Sequence, residues 1–403
     1  MYNLKSDFPI FENNPGLIFM DSTATSQKPK QVIDAISSYY SNYNSNIHRG
    51  SYDIAQISEE LYEKSKQVVA DKINAKNKSE IIYSYNSTYA SNLFIMSLKR
   101  SGMLKKGDKV LVTISEHHAN VVPWLILKEE IGIEIDYVNF DENYDLDLED
   151  FKAKYDDSVK VVSFTYVSNV VGTVYDLESV SKLLRDDTLF IVDGSQSVPH
   201  MYTDVRALNC DAMFFTGHKV MAENGLGILY IKEELMHKME PAISGGGAIA
   251  WVKKEEFKSG IKNTKFEAGT PNVAGAVSLL AAFEYIDNIG GYKKVEEIEA
   301  DLVKYFLKKL DNFPEEIKLI GKKTPENRVG VFSFSVDGIH ANDISDALAD
   351  DNICVRAGRH CADPLADYCE KNSTCRASLY IYNTRGDIDK FFESLEKAIN
   401  LLK

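Results

Sequence analysis

The chain has 403 residues, enough to bury a large core and to form two or three domains. Hydrophobic residues make up 44% and charged residues 26%, the ordinary balance of a globular protein. A net charge of -14 without any basic run argues against a nucleic-acid or anionic-membrane surface as its main function.

The first residues, MYNLKSDFPIFENN, carry acidic groups and no apolar core, so no secretory leader is expected. No stretch approaches the ~18 continuous apolar residues of a membrane span, and the expected location is the cytoplasm. Five cysteines (Cys210, Cys354, Cys361, Cys369 and Cys375) are an odd number in a long chain, which disfavours a disulfide framework. Four of them fall between 354 and 375 without a CxxC pair, so no metal site is expected, and one reactive thiol among inert ones fits better.

In chain order, residues 55–73 have the periodicity of a helix, with Ile57, Leu61, Val68, Val69 and Ile73 on one side. From about 80 to 232, short β-rich runs alternate with helical stretches: EIIYSY (80–85), KVLVTI (109–114), EIDYV (134–138), KVVSFTYV (160–167), TLFIVDG (188–194), AMFFTG (212–217) and GILYIK (227–232). Near-continuous apolar runs are what strands covered on both faces require, so the expected fold is α/β, a mostly parallel seven-stranded sheet wrapped by helices. After the Gly-rich break SGGGAIA (244–250), FEAGTPN (266–272) leads into an apolar helix, and a long amphipathic helix spans about 294–310. VGVFSFSVDG (329–338), ICVRAG (353–358) and ASLYIYNT (377–384) predict strands of a second sheet, followed by a helix over 388–402. The boundary is expected in the loop DNIGGY: residues 20–287 form a large domain, and 1–19 with 288–403 a smaller α+β domain.

Ligands of open α/β sheets bind beyond the carboxyl ends of the strands, and the informative polar residues lie there. Asp193 ends the run TLFIVDG. A buried carboxylate needs a partner, either a helix N-terminus or a cation such as a protonated pyridine nitrogen, with Gln196 three residues on. Lys219, in TGHK, follows a run that should be buried. Desolvation lowers a lysine's proton affinity and readies it for a Schiff base, whereas a surface lysine would be inert. Ser87 and Thr88, between EIIYSY and ASNLFIM, suit an anion at a helix N-terminus or an ordinary cap. The paired histidines of SEHHAN lack metal spacing, and one of them is able to stack on a cofactor ring. Cys361 sits in RAGRHCAD, a polar and positively charged loop that favours thiolate, and Arg376 suits a bidentate carboxylate contact or an ion pair.

NIHRG, EHHAN, VSNVVGT, VDGSQS, TGHK, FEAGTPN, RAGRHCA and CRASLYIYNT, in this order, resemble the SUF-type (group II) cysteine desulfurases. These belong to the class V aminotransferase superfamily of pyridoxal 5′-phosphate (PLP) fold type I. The resemblance covers nearly the whole chain, from FMDSTATSQKP onward, and the short loop around Cys361 looks like group II. It implies that Lys219 carries the cofactor, Asp193 faces the pyridinium, Gln196 contacts the phenolic oxygen and His117 stacks on the ring. Ser87, Thr88, Thr216 and His218 would hold the phosphate, with Thr270 reaching in from the second subunit of a homodimer. Asn169 and Arg376 would bind L-cysteine, His48, Arg49 and Arg356 would line the same pocket, and Cys361 would receive the sulfur. A sulfur-acceptor protein of the SUF system, feeding iron–sulfur cluster assembly, is the implied partner, with selenocysteine lyase activity as the alternative. The chain departs from the family pattern at NSTYAS (86–91), VMAENGLG (220–227) and Arg359, where histidine is usual.

Overall fold

The computed structural model describes residues 4–313 and 317–403. Among these, seven strands form one sheet: β1 (Ile81–Ser84), β2 (Lys109–Thr113), β3 (Glu134–Val138), β4 (Val159–Thr165), β5 (Leu189–Asp193), β6 (Ala212–Thr216) and β7 (Gly227–Ile231). Their order is β1-β7-β6-β5-β4-β2-β3, and only β7 runs against its neighbours. Each predicted run became a strand within two residues at either end.

Period-two alternation explains why these runs look continuously apolar. In β6, Met213 and Phe215 join one core cluster while Ala212 and Phe214 join the other; in β7, Ile228 and Tyr230 oppose Leu229 and Ile231 in the same way. One face packs on the helices Asp53–Lys72 and Val273–Asn288, through Tyr62, Val69, Leu279 and Phe283. The other packs on Ser87–Arg100 and Val122–Ile131, through Phe94, Leu98, Trp124 and Leu127. With both faces covered, neither register nor facing tolerates a slip.

A second, antiparallel sheet contains β8 (Ile317–Ile320), β9 (Val331–Val336), β10 (Arg356–Gly358) and β11 (Thr374–Ser378), in the order β8-β9-β11-β10. Its apolar residues, Phe332, Phe334, Val336, Cys375 and Ala377, face the helices Gly291–Asp311, Ala341–Asp350 and Arg385–Leu402. Phe306 stacks on Phe332 with ring centroids 3.8 Å apart. The alternate residues form a polar row across the sheet, Ser333 opposite Arg376 and Arg376 opposite Arg356. Ser333 Oγ donates to the Val170 carbonyl (2.7 Å), so this polar row faces the segment that follows β4. The pleat therefore brings Arg376 to the large sheet.

Three expectations about this sheet change. The run ASLYIYNT enters it only at its first two residues; the strand begins at Thr374, so Arg376 lies inside it. After the Leu379 N–H, which still donates to Gly330 O (2.8 Å), Tyr380–Tyr382 are buried outside the ladder, with the Tyr380 N–H satisfied by Asn383 Oδ1 (2.8 Å) and its hydroxyl donating to Pro199 O (2.8 Å). ICVRAG splits in two, since Ile353–Cys354 pairs in parallel with Ile18–Phe19 and only Arg356–Gly358 joins β11. β8 was not anticipated.

No single helix among the described residues is long and apolar enough to cross a membrane. Val273–Asn288 and Gly291–Asp311 pass that test only as a pair bent by 73°, and the first of them is buried along nearly its whole length.

Candidate active site

β1, β2, β4, β5 and β6 point their carboxyl ends to the same edge, and the loops after them carry the predicted residues. Asp193 is the last residue of β5 and is buried, its Oδ1 accepting the Ser195 N–H at 2.9 Å. Burial raises its proton affinity, opposed by the Ser195 contacts and the nearby Lys219 cation. Lys219 ends the single turn after β6. Burial lowers its pKa from 10.5 to about 8; Asp193 and Cys361 pull upward, and Arg376 and Arg356 push down. An amine that loses its proton near neutrality is a nucleophile and a base.

His117 caps the turn His118–Asn120, its Nδ1 accepting the Ala119 N–H at 3.1 Å. Burial, with Lys219, His118 and Arg376 nearby, lowers its pKa to about 3. The ring is therefore neutral at physiological pH and, with Nδ1 accepting, carries its proton on Nε2. Beneath it lies Glu116, fully buried, its oxygens taking hydrogen bonds from Thr113 Oγ1 (2.6 Å), the Thr165 N–H (2.8 Å) and Asn120 Nδ2 (2.8 Å). Burial raises the Glu116 pKa to about 8 against these bonds.

Ser87 and Thr88 open the helix Ser87–Arg100 rather than preceding it, and Asn86 is the cap, accepting the Tyr89 N–H at 2.8 Å. The first backbone N–H groups of that helix have no intrahelical partner and form an anion site. The helix start is set against β7 by Gly227, where an added Cβ would lie 2.3 Å from the Asn86 carbonyl. Thr216 Oγ1 donates to Leu226 O at 3.3 Å. His218 Nδ1 sits 3.2 Å from Thr25 Oγ1, and burial beside Lys219 and Lys28 lowers its pKa to about 4. Gln196 Nε2 donates to Thr23 O at 3.0 Å.

On the facing side, Arg376 is buried, with Nη1 donating to Asn169 O (2.9 Å) and Nη2 to Asp21 Oδ1 (3.3 Å). Arg356 meets the other oxygen of Asp21 at 3.3 Å. Two guanidinium groups directly opposite on adjacent strands repel, and one carboxylate neutralises only one of them. The excess positive charge suits a substrate carboxylate. Asp21 escaped the sequence reading because no strand or helix pattern surrounds it; the hydroxyl-rich DSTATS was the one signal.

Cys361 is exposed, on the loop between β10 and the helix Asp363–Tyr368. His360 and Cys361 both adopt left-handed backbone (φ 57°), a conformation costing about 1 kcal/mol or more per non-glycine residue. Contacts hold it: Asn169 Nδ2 donates to His360 O (2.9 Å), His360 Nε2 meets Thr374 Oγ1 (2.9 Å), and the His118 N–H donates to Cys361 O (2.8 Å). Arg359, one of the cations of that loop, pairs with Asp363 and Asp367. Cys361 lies close enough to Lys219 and Arg376 to raise the proton affinity of each.

His48, Arg49 and Thr270 gather elsewhere, at a cavity of about 470 Å³ shared with Gly246, Gly247 and Glu267. Lys219 and Arg356 are not among the residues that line it. Among the described residues no three His, Cys, Asp or Glu side chains are arranged to hold a metal ion.

Whether this edge fits a polar cofactor is tested by its unmatched groups. Thr23 Oγ1, Gln196 Oε1 and Arg376 Nε are buried without a protein partner, and the carboxylate of Asp193 is buried with its Ser195 contacts and Lys219 to offset it. Unsatisfied buried polar atoms are costly unless a ligand pairs with them, so the residues present fit a charged, multiply hydrogen-bonding group.

Comparison with known proteins bears on the same question. The aminotransferase class-V family matches residues 18–391. A probable cysteine desulfurase of Synechocystis sp. is 37% identical over 401 residues, covering 98% of this chain and 95% of that protein. One from Pyrococcus abyssi is 37% identical over 403 residues, covering 100% and 98%. The apo cysteine desulfurase of Thermococcus onnurineus superposes with a TM-score of 0.94 at 35% identity, covering 100% of this chain and 99% of that one. The S-sulfonic acid form of the cysteine desulfurase CsdA from Escherichia coli gives 0.91 at 29% identity, with both chains fully covered. The chain thus belongs to the PLP-dependent class-V aminotransferase family, among its cysteine desulfurases.

Proposed function

We propose that this chain takes sulfur from L-cysteine onto Cys361, leaving L-alanine and a persulfide. The observation that carries the reading is that an amine titrating near 8, a buried carboxylate, two guanidinium groups and an exposed thiol act on one another at a single sheet edge. No other cysteine shares these surroundings: Cys210 and Cys375 are buried, and burial pushes the thiols of Cys354 and Cys369 up.

The residues that would hold PLP are Lys219 at its aldehyde, Asp193 at the ring nitrogen, Gln196 at the phenolic oxygen and His117 on the ring face. Ser87, Thr88, Thr216 and His218 would take the phosphate, with Thr270 supplied by the second subunit of a homodimer. Bound there, PLP supplies an electron sink conjugated to the substrate's α-carbon. Arg376 takes the substrate carboxylate, and Asn169 orients the amino acid beside it. Lys219 removes the α-proton and delivers a proton to Cβ after the carbon–sulfur bond breaks. Cys361 attacks the substrate sulfur as thiolate; the S–S bond forms as the Cβ–S bond breaks, its electron pair staying with carbon. Replacing Cys361 by Ser should leave a yellow holoenzyme that forms no persulfide and yields little alanine with thiol acceptors. Normal desulfuration by that variant would remove Cys361 from the mechanism.

The finer reading is a SUF-type enzyme in the cytoplasm that hands sulfur to an acceptor protein for iron–sulfur cluster assembly. The short, latched Cys361 loop supports it. We also assign residues 20–287 to a large cofactor domain, and 1–19 with 288–403 to a smaller one, of which 1–3 and 314–316 lie outside the described residues.

A further inference from the structure

His117 and His118 are adjacent, yet their side chains meet different partners. The environment of His117 is set by Lys219 and Arg376, whereas His118 reaches the Cys361 loop. Three contacts converge there. The His118 N–H donates to Cys361 O at 2.8 Å, His118 Nε2 lies 2.7 Å from Asp363 Oδ2, and the Asp363 N–H is 3.2 Å from the same nitrogen. Behind them Arg359 braces Asp363 and Asp367. His118 thus ties residue 361 itself and the first turn of the following helix to the loop that carries His117.

We propose that His118, through Asp363, is a positioning residue that sets the reach of the Cys361 sulfur toward the substrate. The proposal rests on Cys361 being the sulfur acceptor. The His118–Asp363 pair is more than a third exposed on both sides, so it contributes little to stability. Its value is geometric. Cys361 stands on two successive left-handed residues, and a loop in that conformation needs outside contacts to keep its thiol aimed. A displacement of about 1 Å at a reacting atom slows a bond-forming step by up to roughly 100-fold.

The test uses holoenzyme and single-turnover formation of persulfide on Cys361, read by rapid quenching and mass spectrometry, beside the absorbance change on adding L-cysteine. A glutamine amide nitrogen reaches the place of Nε2, whereas an asparagine reaches only that of Nδ1. His118→Ala, His118→Asn and Asp363→Ala should slow persulfide formation about 10- to 100-fold with an unchanged absorbance response, while His118→Gln stays within about threefold of wild type. The double variant H118A/D363A should be no slower than the slower single, because one contact is lost once. Wild-type persulfide rates in either alanine variant, a multiplicative double, or failure of glutamine to rescue would overturn the proposal. Asp363→Ala leaves the His117 turn intact, so it decides the matter if H118A does not fold. Wild-type enzyme carrying no sulfur on Cys361 would instead overturn the reading beneath it.

Discussion

The edge of the large sheet and the loop of Cys361 hold reacting groups by different means. Asp193 and Lys219 directly follow strands buried on both faces, so the backbone ladder places them, and desolvation tunes them. Cys361 is exposed, on a backbone that non-glycine residues avoid, and is placed by hydrogen bonds of Asn169 and Thr374 with His360 and of the His118 N–H with Cys361 O. Groups needed for proton transfer are thus fixed where water is excluded. The thiol proposed to take the sulfur stays accessible, on a strained backbone.

That contrast is open to attack at several points. The largest effect should come from Lys219→Ala, which removes both nucleophile and base: alanine production should fall by at least ~10⁴-fold while the fold survives. Activity within tenfold of wild type would put the chemistry elsewhere. Arg376→Lys keeps the charge but loses the fork geometry, so KM for cysteine should rise about tenfold or more with a smaller change in kcat. An unchanged KM would leave Arg376 as a purely structural partner of Asp21.

The amine itself has a pH signature. Only the neutral form captures an aldehyde, and the Lys219 pKa is lowered to about 8. Uptake of PLP by cofactor-free protein should therefore climb about tenfold per pH unit below 8 and level off above it. An ordinary lysine would keep climbing to about 10.4. Asp193→Asn should move the plateau to lower pH, because that carboxylate favours the protonated amine. The smallest effect concerns the frame: Gly227→Ala, meeting the Asn86 backbone, should cost about 1–3 kcal/mol in denaturant unfolding. An unchanged midpoint would show that the start of the helix Ser87–Arg100 yields easily.

The same contrast explains what was legible in the sequence. Most of the seven strands read clearly because double-sided burial leaves unbroken apolar runs, the partly buried edge strand β3 excepted, and their polar ends drew attention to Asp193, Lys219, Asn169 and the His117–His118 pair. The small sheet read poorly. Tyr380–Tyr382 has strong β propensity but is buried by tertiary packing, its polar atoms met by Pro199, Ser22 and Asn383 rather than by a ladder. The sequence shows a positively charged loop around Cys361, but within it Asp363 and Asp367 take Arg359, and β11 delivers Arg376 across the pleat. Asp21 and the His118 latch depend on contacts between segments hundreds of residues apart, which no local pattern records.

The central claim is that sulfur leaving L-cysteine lands on one exposed thiol beside Lys219. Holoenzyme incubated with L-cysteine, alkylated and digested should carry one extra sulfur on the Cys361 peptide and none on those of Cys210, Cys354, Cys369 or Cys375, with alanine formed in equal amount. Extra sulfur on any of those four, or alanine formed while the Cys361 peptide stays unmodified, would contradict the account.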